Sequence, residues 1–61
     1  MEVLAIDYFK AKKIIDSGLV NDLDEQFCKT IIEAYESGEE VSKYKIENFR
    51  EVELEFERIK K

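Results

Sequence analysis

The sequence predicts an all-α fold, a three-helix bundle with helices near residues 2–17, 22–37 and 42–60. Three observations favour this fold. Apolar residues recur at spacings of three and four in all three segments, which is the period of an α-helix. The two glycines, Gly18 and Gly38, follow the first two segments, where glycine commonly ends a helix. No turn signal interrupts residues 42–61. With 61 residues, the chain is one small domain.

The first predicted helix starts either at the beginning of the chain or after Asp7, whose carboxylate could cap the following turn. Residues 3–6 would also suit a short strand. The apolar side chains at helical spacing, which we expect to face the core, are Leu4, Tyr8, Ala11 and Ile15, flanked by Phe9 and Ile14.

The central helix has the clearest pattern. Asn21 or Asp22 can accept the free amide hydrogens of its first turn, and acidic residues there suit the positive end of the helix dipole. The predicted core residues are Leu23, Phe27, Ile31 and Ala34, with Cys28, Ile32 and Tyr35 beside them.

Ser42 is the predicted N-cap of the third helix, whose apolar residues form a narrow stripe. The stripe consists of Phe49, Val52, Phe56 and Ile59, with Ile46 at its edge. Such a stripe can complete the core of one chain or pair with a second helix, and the surplus of apolar residues predicts a dimer. Leu54 points away from the stripe, so it is either an ordinary exposed leucine or part of a second contact surface.

Residues 51–57 also alternate strictly between acidic and apolar side chains, as a half-buried strand does. The alternative fold is therefore β-α-α-β, in which the first residues of the chain pair with this strand. Glutamate favours helices and is depleted in strands, so we prefer the helix.

The charge and composition exclude several classes of protein. The chain carries 10 basic and 15 acidic residues, no histidine and one cysteine, for a net charge of −5. An acidic chain repels phosphate backbones and anionic lipid. Residues 1–6 are too short and too acidic for a secretion signal, and no apolar run approaches the roughly 20 residues that span a bilayer. We therefore expect a cytoplasmic protein without a membrane partner.

Catalytic signatures are missing as well. Without histidine, and with Cys28 beside an apolar face, neither a nucleophile–base pair nor a nitrogen- or sulfur-rich metal site can be assembled. We also expect little room for a pocket of even ~300 Å³. The sequence therefore predicts no enzyme, catalytic residue, cofactor, metal or small-molecule substrate.

Nucleic-acid binding is the alternative function. Residues 42–50 could serve as the second helix of a helix-turn-helix, because they are polar and include Lys43, Lys45 and Arg50. Glu39 and Glu40 oppose this reading, since they put acids where the backbone would approach phosphate. A second alternative is an inhibitor that mimics DNA through rows of carboxylates on the third helix.

We therefore predict a small acidic, non-catalytic protein-binding module that acts by helix-face association with itself or another protein. Its size and composition suit a regulator or inhibitor of a phage or mobile element. The predicted interface consists of Phe49, Val52, Leu54, Phe56 and Ile59.

Overall fold

A computed structural model describes residues 1–60 and contains three α-helices, α1 (Ala5–Ser17), α2 (Asp22–Ser37) and α3 (Lys43–Lys60). Each helix packs against the other two. The all-helical, three-helix prediction is confirmed. The β-α-α-β alternative is wrong, because residues 51–57 lie inside α3 and the described part of the chain contains no strand.

Local signals set the ends of α1 and α2 and the starts of α2 and α3 as predicted. The Asn21 side chain accepts a hydrogen bond of 2.9 Å from the Asp24 amide, and Ser42 Oγ accepts one of 3.3 Å from the Lys45 amide. Gly18 and Gly38 adopt φ angles of +68° and +73°. In this left-handed region glycine carries no Cβ penalty, so it terminates the preceding helix readily.

The start of α1 differs from both predicted positions. The backbones of Met1 and Val41 exchange two hydrogen bonds of 2.5 and 2.9 Å, which tie the start of the chain to the α2–α3 connection. Asp7 Oδ2 then accepts from the Leu4 amide at 3.4 Å. The helix therefore starts at Ala5, and Asp7 lies within its first turn rather than ahead of it.

The core lies between the three helices and includes most of the predicted residues of α2 and α3. Leu4, Phe9 and Leu23 were expected to face the core and are exposed, so those three predictions are wrong. Ile59, which was predicted to complete the core or to pair with a second helix, is exposed. The buried apolar residues are Val3, Ala11, Ile14, Cys28, Ile31, Ala34, Val41, Ile46, Phe49, Val52 and Phe56.

The orientation of α1 explains the error for Phe9. Asp7 is only 1% exposed and shares the buried stripe of α1 with Ala11 and Ile14. At about 100° per residue, Phe9 lies roughly 200° around the helix from Asp7. Turning the carboxylate toward α3 therefore turns the phenyl ring toward solvent.

Candidate functional site

The outward side of α1 carries large apolar residues that the chain leaves uncovered. Ile6 is 56% and Phe9 67% exposed, and their spacing of three places them on one helix face. The Phe9 ring meets the Tyr8 ring edge-on at 5.6 Å, and Tyr8 stacks on Tyr35 of α2 at 4.7 Å between ring centroids. These four residues form one continuous surface, which we call the α1 surface.

Charged side chains border the α1 surface. Lys12 Nζ lies 4.9 Å from the centroid of the Tyr8 ring, and the Tyr8 hydroxyl donates to Glu36 at 3.3 Å. Interaction with Tyr8, and then with nearby carboxylates including Glu36, raises the pKa of Lys12. Glu2 lines a shallow groove beside Tyr35. The surface therefore has carboxylates near its start and a lysine one turn beyond Phe9.

The residues predicted to form an interface on α3 do not share one accessible surface. Phe49, Val52 and Phe56 are buried inside the single chain, whereas Leu54 and Ile59 are exposed. The two exposed residues are five positions apart, so they point about 140° away from each other. Most of the predicted stripe thus completes the core of the chain itself.

Sequence reasoning missed the α1 surface although a signal for it was present. Ile6 and Phe9 fall outside the predicted core row of Leu4 and Tyr8, so α1 is apolar on more than one side. A helix with apolar residues on all sides exposes some of them unless a second element or a partner covers the side that faces away from its own core.

An ion-pair cluster of Asp7, Lys10, Arg50 and Glu53 joins α1 to α3. Arg50 Nη1 lies 3.2 Å from Asp7 Oδ1 and 3.9 Å from Glu53 Oε2. Lys10 Nζ lies 2.5 Å from Glu53 Oε1, and this hydrogen bond is the main reason that the pKa of Lys10 is raised. Both carboxylates are engaged by cations, so the cluster is suited to holding helices together rather than to proton transfer.

An open groove of about 460 Å³ lies between the end of α2 and the start of α3. The groove is open to solvent and does not enclose a substrate, so the expectation of little room for a substrate pocket stays a prediction. The hydroxyls along it serve the backbone: Thr30 and Ser37 donate to carbonyls one turn earlier, and Ser42 caps α3. Its remaining polar side chains include Glu33, Glu39, Glu40 and Lys45.

Cys28 is fully buried in the core. Desolvation, with smaller contributions from Asp24 and Glu25, raises the pKa of its thiol to about 11. The thiol is therefore protonated near neutral pH and is a poor nucleophile there.

Within residues 1–60, no group of three or more metal-ligating side chains converges. None of the three helices is both long and apolar enough to cross a membrane.

The connection between α2 and α3 comprises residues 38–42, longer than the three or four residues usual in a helix-turn-helix. Glu39 and Glu40 are exposed within it. Comparison with protein-family models, curated proteins and solved structures found no match.

Proposed function

We propose that this chain is a non-catalytic protein-binding module that associates through a helix face, and that it uses the α1 surface. The single observation that carries the proposal is the exposure of Ile6 and Phe9 on the outer side of a helix whose inner side is already packed. Solvent-exposed apolar side chains that lie together mark interaction sites more often than isolated ones do.

The composition of the α1 surface supports this proposal. Aromatic residues are enriched at the centres of protein interfaces, because they supply large contact areas with few rotatable bonds. Tyr8 is held between the Tyr35 ring and the Lys12 ammonium, so its side chain is ordered before a partner arrives. Ordering in advance lowers the entropy lost on binding.

The α3 residues are less suited to this role. Leu54 stands on the outer side of α3, with Arg50, Glu51, Glu57 and Arg58 on the same exposed side. A single leucine among charged side chains is common on protein surfaces and carries little binding energy. Leu54 therefore provides a matched control for Phe9.

The experiment is a selection from a displayed library of random peptides on the immobilised chain, repeated with the variants Phe9→Ser and Leu54→Ser. We expect peptides enriched on the native chain to bind Leu54→Ser and to lose binding to Phe9→Ser. Equal binding to native chain and Phe9→Ser would place recognition elsewhere. A gel shift with duplex DNA at low salt tests the nucleic-acid alternative, and binding there that disappears at high salt would support that alternative instead.

A further inference from the structure

We infer that the α1 surface pairs with the same surface of a second copy, with the two α1 helices antiparallel around a two-fold axis between Ile6 and Phe9. This inference rests on the proposed function and names the partner. A two-fold interface must be self-complementary, since the same patch supplies both sides.

The apolar residues meet this requirement. Ile6 and Phe9 are three positions apart on the exposed face of α1. When the axis passes midway between them, each Ile6 faces the partner's Phe9, and each Phe9 faces the partner's Ile6. A branched aliphatic side chain then covers an aromatic ring on both sides of the axis. Tyr8 and Tyr35 extend this contact toward α2.

The charges select the antiparallel arrangement. Lys12 on α1 and Glu2 just ahead of α1 both lie toward α2, because Lys12 sits over Tyr8 and Glu2 lines the groove beside Tyr35. A two-fold axis perpendicular to α1 makes the two α1 helices antiparallel. It also leaves the α2-facing sides of both helices on the same flank of the contact. Lys12 then approaches the partner's Glu2, and the reverse pair forms as well. In a parallel two-fold pair the α2-facing sides lie on opposite flanks of the contact, so Lys12 does not approach the partner's Glu2.

The size of the surface implies a weak dimer. Two helices that meet through four principal residues each form a contact at the low end of protein interfaces. Association is therefore expected to depend on concentration in the range from about 10 μM to 1 mM.

The test is sedimentation equilibrium of the full chain across that range, with charge-reversed variants. Lys12→Glu and Glu2→Lys should each raise the dissociation constant about tenfold, because each places like charges opposite one another twice per dimer. The double variant should return it to within about threefold of the native value, since opposite charges face again. Arg58→Glu, on the exposed outer side of α3, makes the same charge change away from the α1 surface and should have no effect.

Circular dichroism of each variant shows whether the helices are intact. A native chain that remains monomeric at about 1 mM overturns the self-pairing, and peptides selected on the α1 surface would then leave the proposed function standing. A dimer that Phe9→Glu does not weaken, or that the double variant does not restore, overturns the antiparallel arrangement. If neither self-association nor selected peptides depend on Phe9, both proposals fail.

Discussion

Asp7 Oδ1 lies 3.2 Å from Arg50 Nη1, and this ion pair connects the inner side of α1 to α3 across 43 positions of sequence. Asp7 is buried, whereas the Arg50 side chain is 52% exposed. A buried carboxylate that loses its cation keeps its desolvation cost. Removing Arg50 would therefore leave Asp7 buried without a compensating charge. The same pair determines which side of α1 faces solvent.

Arg50→Met should therefore destabilise the chain. We expect the free energy of unfolding to fall by about 1–3 kcal/mol, less than for a fully buried pair because solvent screens the exposed guanidinium. Arg58 forms a pair of 3.3 Å with Glu55 and is 78% exposed, so Arg58→Met should cost at most about 0.5 kcal/mol. Urea unfolding followed by circular dichroism measures both, and equal losses would contradict the role assigned to Asp7.

Phe56→Ala should remove about 3–5 kcal/mol, because it deletes a buried ring and leaves a cavity. Phe9→Ala makes the same chemical change at an exposed position and should cost no more than about 0.5 kcal/mol in the monomer. Thermal unfolding at low protein concentration compares the two variants. An unchanged melting temperature for Phe56→Ala would refute the packing of α3.

Gly38→Ala should cost about 1 kcal/mol, because an alanine strains at the φ angle of +73°. Apart from the glycine itself and its two neighbours in sequence, no atom lies within 4 Å of the added Cβ, so the backbone conformation accounts for the loss. Asparagine tolerates the left-handed region better, and Gly38→Asn should lose less. The order of the three urea midpoints, glycine highest and alanine lowest, is the check.

The Cys28 thiol should make stability fall at alkaline pH. Burial raises its pKa from 9.0 to about 11, so the unfolded chain loses this proton first as the pH rises. Its contribution is complete below about pH 9 and is lost progressively toward pH 11. Urea unfolding of the native chain and of Cys28→Ala across this range isolates the effect, because tyrosines and lysines titrate in both proteins. Parallel pH profiles would mean that the thiol is not desolvated.

Leu54→Glu compared with Phe9→Glu identifies the face used for self-association. Both residues are exposed, so both variants should retain the helical circular dichroism of the native chain. Pairing through α1 predicts that Phe9→Glu lowers the mass found by sedimentation while Leu54→Glu leaves it unchanged. The reverse result would restore α3 as the interface.

Much of this fold could be predicted from local signals. Asn21 and Ser42 cap the helices that follow them, and Gly18 and Gly38 end the helices before them, because capping and left-handed turns depend on residues close in sequence. The same holds for the buried stripe from Phe49 to Phe56, because its spacings of three and four match one face of a helix.

Local signals were therefore enough to predict the number of helices, their ends except the start of α1, and most of the core of α2 and α3. The start and the rotation of α1 depend on contacts between residues that are distant in sequence. Its apolar residues surround the helix, so hydrophobic periodicity favours no single side. The ion pair of Asp7 and Arg50 favours the side of α1 that faces the core. These two residues are distant in sequence and meet only when α1 packs on α3. That contact moved Phe9 out of the core and onto the α1 surface, because one helix cannot turn both residues inward.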